Sequence, residues 1–182
     1  MAKLATAAQT TAARKAAGVV LMGFDVDGVL TDGTLYFTSQ GDEMKAFSSL
    51  DGHGLKMLQR AGIEVVIISG RSSRALEMRA RNLGIAALHM GVEDKRALLD
   101  KIAAQRGIAH AQAGYMGDDV VDLPILRACG FSATVADGHP EVLARVDYVA
   151  TKGGGRGAVR EVCDLIIRAQ GKWDAAMAEY LA

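Results

Sequence analysis

From Val19 onward, the apolar residues fall into short unbroken runs, separated by stretches in which they recur every three or four positions. The runs near residues 19–24, 63–69, 86–90, 113–116, 131–135 and 148–151 have strand length and are rich in β-branched or other apolar residues. Helical spacing occupies residues 54–61, 72–83, 94–106, 122–129 and 140–146, with a last helix from 157 to about 169. Strands alternating with helices predict an α/β fold, a doubly wound parallel sheet with helices on both faces. One segment breaks the alternation. Two short apolar stretches, residues 34–38 and 44–48, flank Ser39-Gln40-Gly41-Asp42-Glu43. They predict a short β-hairpin, near residues 33–48, inserted between the first strand and its helix. The expected organisation is an N-terminal extension over 1–18, one domain over 19–170 and a C-terminal tail over 171–182. The Ala- and Thr-rich residues 1–17 suit either a helix or a frayed end.

Composition adds limits. A chain of 182 residues, half of them hydrophobic, can bury one sizeable core. A formal net charge of zero argues against a broad nucleic-acid or membrane footprint and leaves a local basic pocket open. No apolar run reaches membrane-spanning length. Lys3, Arg14 and Lys15 are not followed by the apolar segment of a secretory signal, so a cytoplasmic protein is expected. Cys129 and Cys163 lie in apolar stretches and read as buried, reduced thiols.

The chemistry concentrates where strands end. Asp25 and Asp27 follow the first strand in D-V-D-G-V, with Gly28 allowing a sharp turn. Two neighbouring acids leaving water repel each other and lose hydration, an arrangement that a bound cation relieves. Ser69-Gly70-Arg71 ends the second strand, and Lys95 opens the helix after the third, behind Glu93 and Asp94. Gly117-Asp118-Asp119 ends the fourth, with Asp122 following. In open parallel sheets, ligands bind at these carboxyl ends. Converging carboxylates with a serine and a lysine make a hard oxygen site suited to Mg²⁺ and a phosphate ester. One carboxylate can attack phosphorus while a second transfers protons.

D-V-D-G-V, S-G-R, the lysine and G-D-D-x-x-D together resemble the four motifs of the haloacid dehalogenase superfamily, over about residues 19–170. The resemblance implies Asp25 as nucleophile and Asp27 as general acid/base. It implies Mg²⁺ held by the Asp25 carboxylate, the Asp27 backbone carbonyl and Asp118, with Asp119 and Asp122 supporting that set. Ser69, Gly70 and Lys95 would hold the phosphoryl group. Dehalogenases of the superfamily lack the second aspartate and transport ATPases carry threonine there, so Asp27 points to a phosphatase or mutase.

The absence of a large inserted cap narrows the resemblance. The hairpin, D-G-H-G-L-K at residues 51–56 and the G-G-G-R-G-A-V-R-E-V-C-D ending resemble bacterial phosphatases of an eight-carbon sugar acid 8-phosphate used in lipopolysaccharide. Those imply a homotetramer whose hairpins build a central barrel and part of the neighbouring site, and a glycine-rich tail that can close as a lid over a neighbour's site. Here Lys152 and Arg156, around Gly153, Gly154 and Gly155, would be that lid, and Arg71 would bind the substrate's oxyanion. Phosphatases of a nine-carbon sugar acid 9-phosphate share the motifs and stay open as an alternative, as does an oligomerisation module of the same fold. A signalling receiver domain is set aside, because Leu88-His89-Met90 ends the third strand without an acid.

Simpler readings accompany several residues. Ser69 would also serve as a helix N-cap, Asp122 as a helix-start acid beside Pro124, and Glu93 and Asp94 as helix-start acids. His53 reads as a turn residue, and Lys152 and Arg156 as a solvated loop. Trp173 and Tyr180 would pack on a neighbour or stay loose.

Overall fold

Six apolar runs pair side by side as parallel strands in the order β5-β4-β1-β6-β7-β8 of a computed structural model describing residues 7–181. The first six residues of the expected extension, Lys3 among them, and Ala182 lie outside the described residues. The strands are β1 (Leu21–Phe24), β4 (Glu64–Ile68), β5 (Ala87–His89), β6 (Ala113–Met116), β7 (Phe131–Thr134) and β8 (Tyr148–Val149). β1, β4 and β5 build outward in one direction, and β6, β7 and β8 in the other. The chain reverses its winding between β1 and β6, which opens a crevice there.

Residue alternation sends side chains to two cores. Met22, Phe24, Val65, Ile67 and Met116 join a cluster with α1 (Ala7–Ala16), α2 (Ser49–Arg60), α3 (Arg74–Leu83) and α7 (Ala158–Ala169). Leu21, Val66, Ile68 and Tyr115 join the opposite one with α4 (Lys95–Arg106), α5 (Leu123–Leu126) and α6 (Pro140–Leu143). The hairpin is present as β2 (Tyr36–Phe37) and β3 (Glu43–Met44), antiparallel and only two residues long on each side.

Helix α2 starts at Ser49, ahead of the predicted residue 54, because Ser48 caps it by accepting the Asp51 backbone N–H. The glycines at 52 and 54 suggest a turn by themselves, but His53 lies within the helix and meets Tyr180 edge to face. Asp51, 1% exposed, accepts the Gly157 and Arg160 N–H groups at 3.1 and 2.8 Å and so caps α7. The predicted helices over 122–129 and 140–146 shrink to four residues each. The first and last described helices both pack against the fold. Ala12 and Ala16 of α1 are in the core, and Arg168 lies 3.5 Å over the ring of Trp173, which opens α8 (Trp173–Leu181).

Candidate active site

Asp25 continues β1 by one hydrogen bond, its N–H donating to the Met116 carbonyl at 2.9 Å. The carboxylate is thereby held in the crevice beside β6, only 8% exposed, with Oδ1 accepting the Val26 N–H at 2.7 Å. The loop after it is cross-tied by Thr31, whose Oγ1 donates to the Val26 carbonyl and accepts the Gly33 N–H. Gly28 adopts φ +88°, and a Cβ there would stand 2.1 Å from Asp118 Oδ2. Only glycine lets the first and fourth loops close on each other.

Lys95, the first residue of α4, is 7% exposed. Its Nζ lies 2.7 Å from Asp25 Oδ2 and 2.7 Å from Asp122 Oδ1. Asp122 is fully buried, and its other oxygen accepts the Asp118 N–H at 3.1 Å. The Tyr115 hydroxyl also lies 3.4 Å from Oδ1. With these contacts made, Asp122 ties Lys95 to the fourth loop. It stands at the N-cap position of α5, but its side chain makes no capping bond there.

Oxygens of Asp25, Asp118 and Asp122 all lie within 4.8 Å of one another. Three acids face one lysine, so the cluster carries excess negative charge. Burial first, and then the charge of Asp122, pushes Asp25 up to about 7 against the pull of Lys95. Burial, followed by the charges of Asp25, Asp122 and Asp119, pushes Asp118 up to about 7 as well. Hard oxygen donors starved of positive charge fit a divalent cation such as Mg²⁺.

Asp27 points elsewhere. Its Oδ1 is bonded to Lys45 Nζ, and its Oδ2 lies 3.7 Å from Arg71 Nε. Glu43 joins both cations, at 3.2 Å from Lys45 Nζ and 3.2 Å from Arg71 Nη2. Lys45 and Glu43 were missed by the motif reading. The alternation Glu43-Met44-Lys45-Ala46-Phe47 would have placed the two on one side of the hairpin.

Ser69 is 2% exposed, and its Oγ accepts the Arg71 N–H at 3.1 Å. It is not a helix cap, because Ser73 occupies that position for α3. Asp94 does cap α4, accepting the Ala97 N–H at 2.9 Å. A cleft of about 470 Å³ is lined by Asp25, Asp27, Ser69, Gly70, Arg71, Lys95, Asp118 and Asp119, together with Val92, Glu93 and Val121. Asp119 is exposed, and its carboxylate accepts the Val120 N–H.

Lys152 and Arg156 do not line this cleft. Within this chain the glycine segment is closely packed. Gly155 N–H donates to Val29 O at 2.9 Å, and a Cβ on Gly154 would stand 2.0 Å from Gly28 O. The glycine segment therefore braces the Asp25–Asp27 loop of its own chain. Arg156 is exposed, with Nη2 at 3.9 Å from Asp32.

The chain matches the haloacid dehalogenase-like hydrolase family over residues 89–160. It is 44% identical to 3-deoxy-D-manno-octulosonate 8-phosphate phosphatase of Escherichia coli over 162 residues, covering 89% of this chain and 86% of that protein. The crystal structure of that phosphatase from Yersinia pestis superposes with a TM-score of 0.88 at 44% identity, covering 90% and 89% of the two chains. The Moraxella catarrhalis phosphatase, solved with a magnesium ion, a phosphate ion and the sugar acid, gives 0.91 at 43% identity, covering 93% and 97%.

Proposed function

The chain belongs to the haloacid dehalogenase-like hydrolases, in the family of the 3-deoxy-D-manno-octulosonate 8-phosphate phosphatases, and we propose that it hydrolyses that same sugar acid phosphate. The observation carrying this reading is the cleft itself. Asp25 and Asp118 share excess negative charge, a buried Lys95 touches Asp25, and Ser69, Gly70 and Arg71 stand opposite.

Asp25 and Asp118, with the Asp27 backbone carbonyl, would hold Mg²⁺, and Asp122 and Asp119 would support them from the same loop. When bound, the cation neutralises charge on phosphoryl oxygens. Lys95, Ser69 and Gly70 hold the remaining oxygens, and Arg71 holds the sugar acid's oxyanion. The Asp25 carboxylate attacks phosphorus as the ester bond breaks, and Asp27 protonates the leaving sugar oxygen. Water then attacks the aspartyl phosphate, giving its proton to Asp27 and freeing Asp25 and phosphate. The product would be the eight-carbon sugar acid used in lipopolysaccharide.

The reading also includes a cytoplasmic homotetramer. Exposed Leu35, Tyr36, Phe37 and Met44 on the hairpin support the assembly. Among the described residues, no helix is long and apolar enough to cross a membrane. Phosphate release with Mg²⁺ across eight-carbon, nine-carbon and simple sugar phosphates tests the substrate, with light scattering on the same sample for the mass. Preference for the nine-carbon ester, or broad weak release, would overturn the assignment.

Proton competition follows from the raised acids. Near their pKa of about 7, Asp25 and Asp118 must lose protons before a cation binds. Lowering the pH from about 8 to about 6 should weaken Mg²⁺ binding about ten- to a hundredfold, measured by calorimetry. Without cation, the folded state binds these protons more tightly than the unfolded chain, whose acids titrate near 3.8. Stability therefore falls as pH rises from about 4 to about 7, and saturating Mg²⁺ should flatten that fall.

A further inference from the structure

We infer that Lys45 is the positioning residue for the acid/base carboxylate of Asp27, an inference that rests on the reading of Asp27 given above. The hairpin inverts the usual distribution of side chains. Phe37 and Met44 are 58% and 57% exposed, whereas the Lys45 side chain is 2% exposed. A lysine on a short surface hairpin ordinarily extends its ammonium into water. Drawing that charge inside costs free energy unless carboxylates compensate it. Two do, Asp27 and Glu43. Arg71 closes the ring by contacting Glu43 at 3.2 Å and standing 3.7 Å from Asp27 Oδ2. The four side chains carry two charges of each sign.

This ring makes the two oxygens of Asp27 unequal. Oδ1 is pinned by Lys45. Oδ2, whose 3.7 Å separation from Arg71 Nε is too long for a hydrogen bond, is the oxygen left to carry a proton. Hydrogen bonds of Thr31 fix the loop backbone but do not touch the Asp27 carboxylate. Lys45 supplies that missing constraint. As the Asp25–phosphorus bond forms and the sugar–phosphorus bond breaks, the proton leaves Asp27 Oδ2 for the sugar oxygen. When water displaces Asp25, a proton returns to the same oxygen.

The test uses leaving groups. A sugar alkoxide leaves poorly and needs the proton, whereas p-nitrophenolate leaves without it. Lys45→Met should lower kcat/KM for the sugar acid 8-phosphate by about thirty- to three-hundredfold, and for p-nitrophenyl phosphate by less than about threefold. Lys45→Arg should recover most of the loss, and in an Asp27→Asn background Lys45→Met should add less than about twofold. Mg²⁺ binding should be unchanged in both variants. Equal losses on both esters, an independent factor in the Asp27→Asn background, or a raised KM at unchanged kcat would overturn the inference. If Asp27→Asn itself shows no leaving-group dependence, the acid/base reading fails first and takes the inference with it. If Lys45→Met does not fold, Lys45→Arg and Glu43→Gln carry the same comparison, and leaving-group independence in both overturns it.

Discussion

Asp25→Asn lowers phosphate release at least about a thousandfold while the protein still folds. An amide oxygen is uncharged and a poor nucleophile, so no aspartyl phosphate forms. The substitution leaves much of the local structure in place. The asparagine carbonyl can still accept the Val26 N–H, and Lys95 retains Asp122 at 2.7 Å. Removing one of three crowded acids also relieves the repulsion that pushes Asp118 up to about 7. Circular dichroism and thermal unfolding should therefore resemble the parent, while a coupled phosphate assay reads essentially background. Substantial retained turnover would move the nucleophile to another residue.

Lys95→Met has the larger effect on stability. Lys95 is the cation bonded to Asp122, which has no exposed surface, and to Asp25, which is 8% exposed. Methionine fills a similar volume but leaves the Asp122 carboxylate buried without its counter-charge. Breaking such a pair by removing one partner costs about 3–5 kcal/mol. Urea unfolding of the cation-free protein should show that loss, and turnover should fall with it because the phosphoryl group loses a ligand. Adding Asp122→Asn to Lys95→Met should recover part of the stability but none of the activity, since the unpaired charge is gone while the phosphate contact is still missing. A Lys95→Met protein as stable as the parent would show that Asp122 does not depend on Lys95.

The elements that ended up in the sheet were legible because each strand is a short apolar run bounded by polar or glycine residues, as with β4 (Glu64–Ile68) before Ser69. Boundaries were less so. The start of α2 was hidden by two helical glycines, whose reason lies in the neighbours they approach rather than in local propensity. The glycines at 153–155 carried the opposite risk. Flexible in isolation, they are packed here against Asp137 at Gly153, the Gly28 backbone at Gly154 and the Thr31 backbone at Gly155.

Local sequence therefore determined which residues end strands or open the helix that follows, and with them Asp25, Asp27, Ser69, Lys95 and Asp118 as a candidate set. A strand's carboxyl end is a property of the chain in order, and a parallel sheet gathers such ends on one edge. Which side chains touch was decided by tertiary structure. Asp122 turns to Lys95 and not to its own helix, and Asp27 turns to a hairpin lysine eighteen residues later. Both pairings follow from charge and burial, because each joins a carboxylate to a cation whose side chain is drawn out of water, Lys95 at 7% exposed and Lys45 at 2%. That cation's distance is set by packing and is not written in the spacing of residues along the chain.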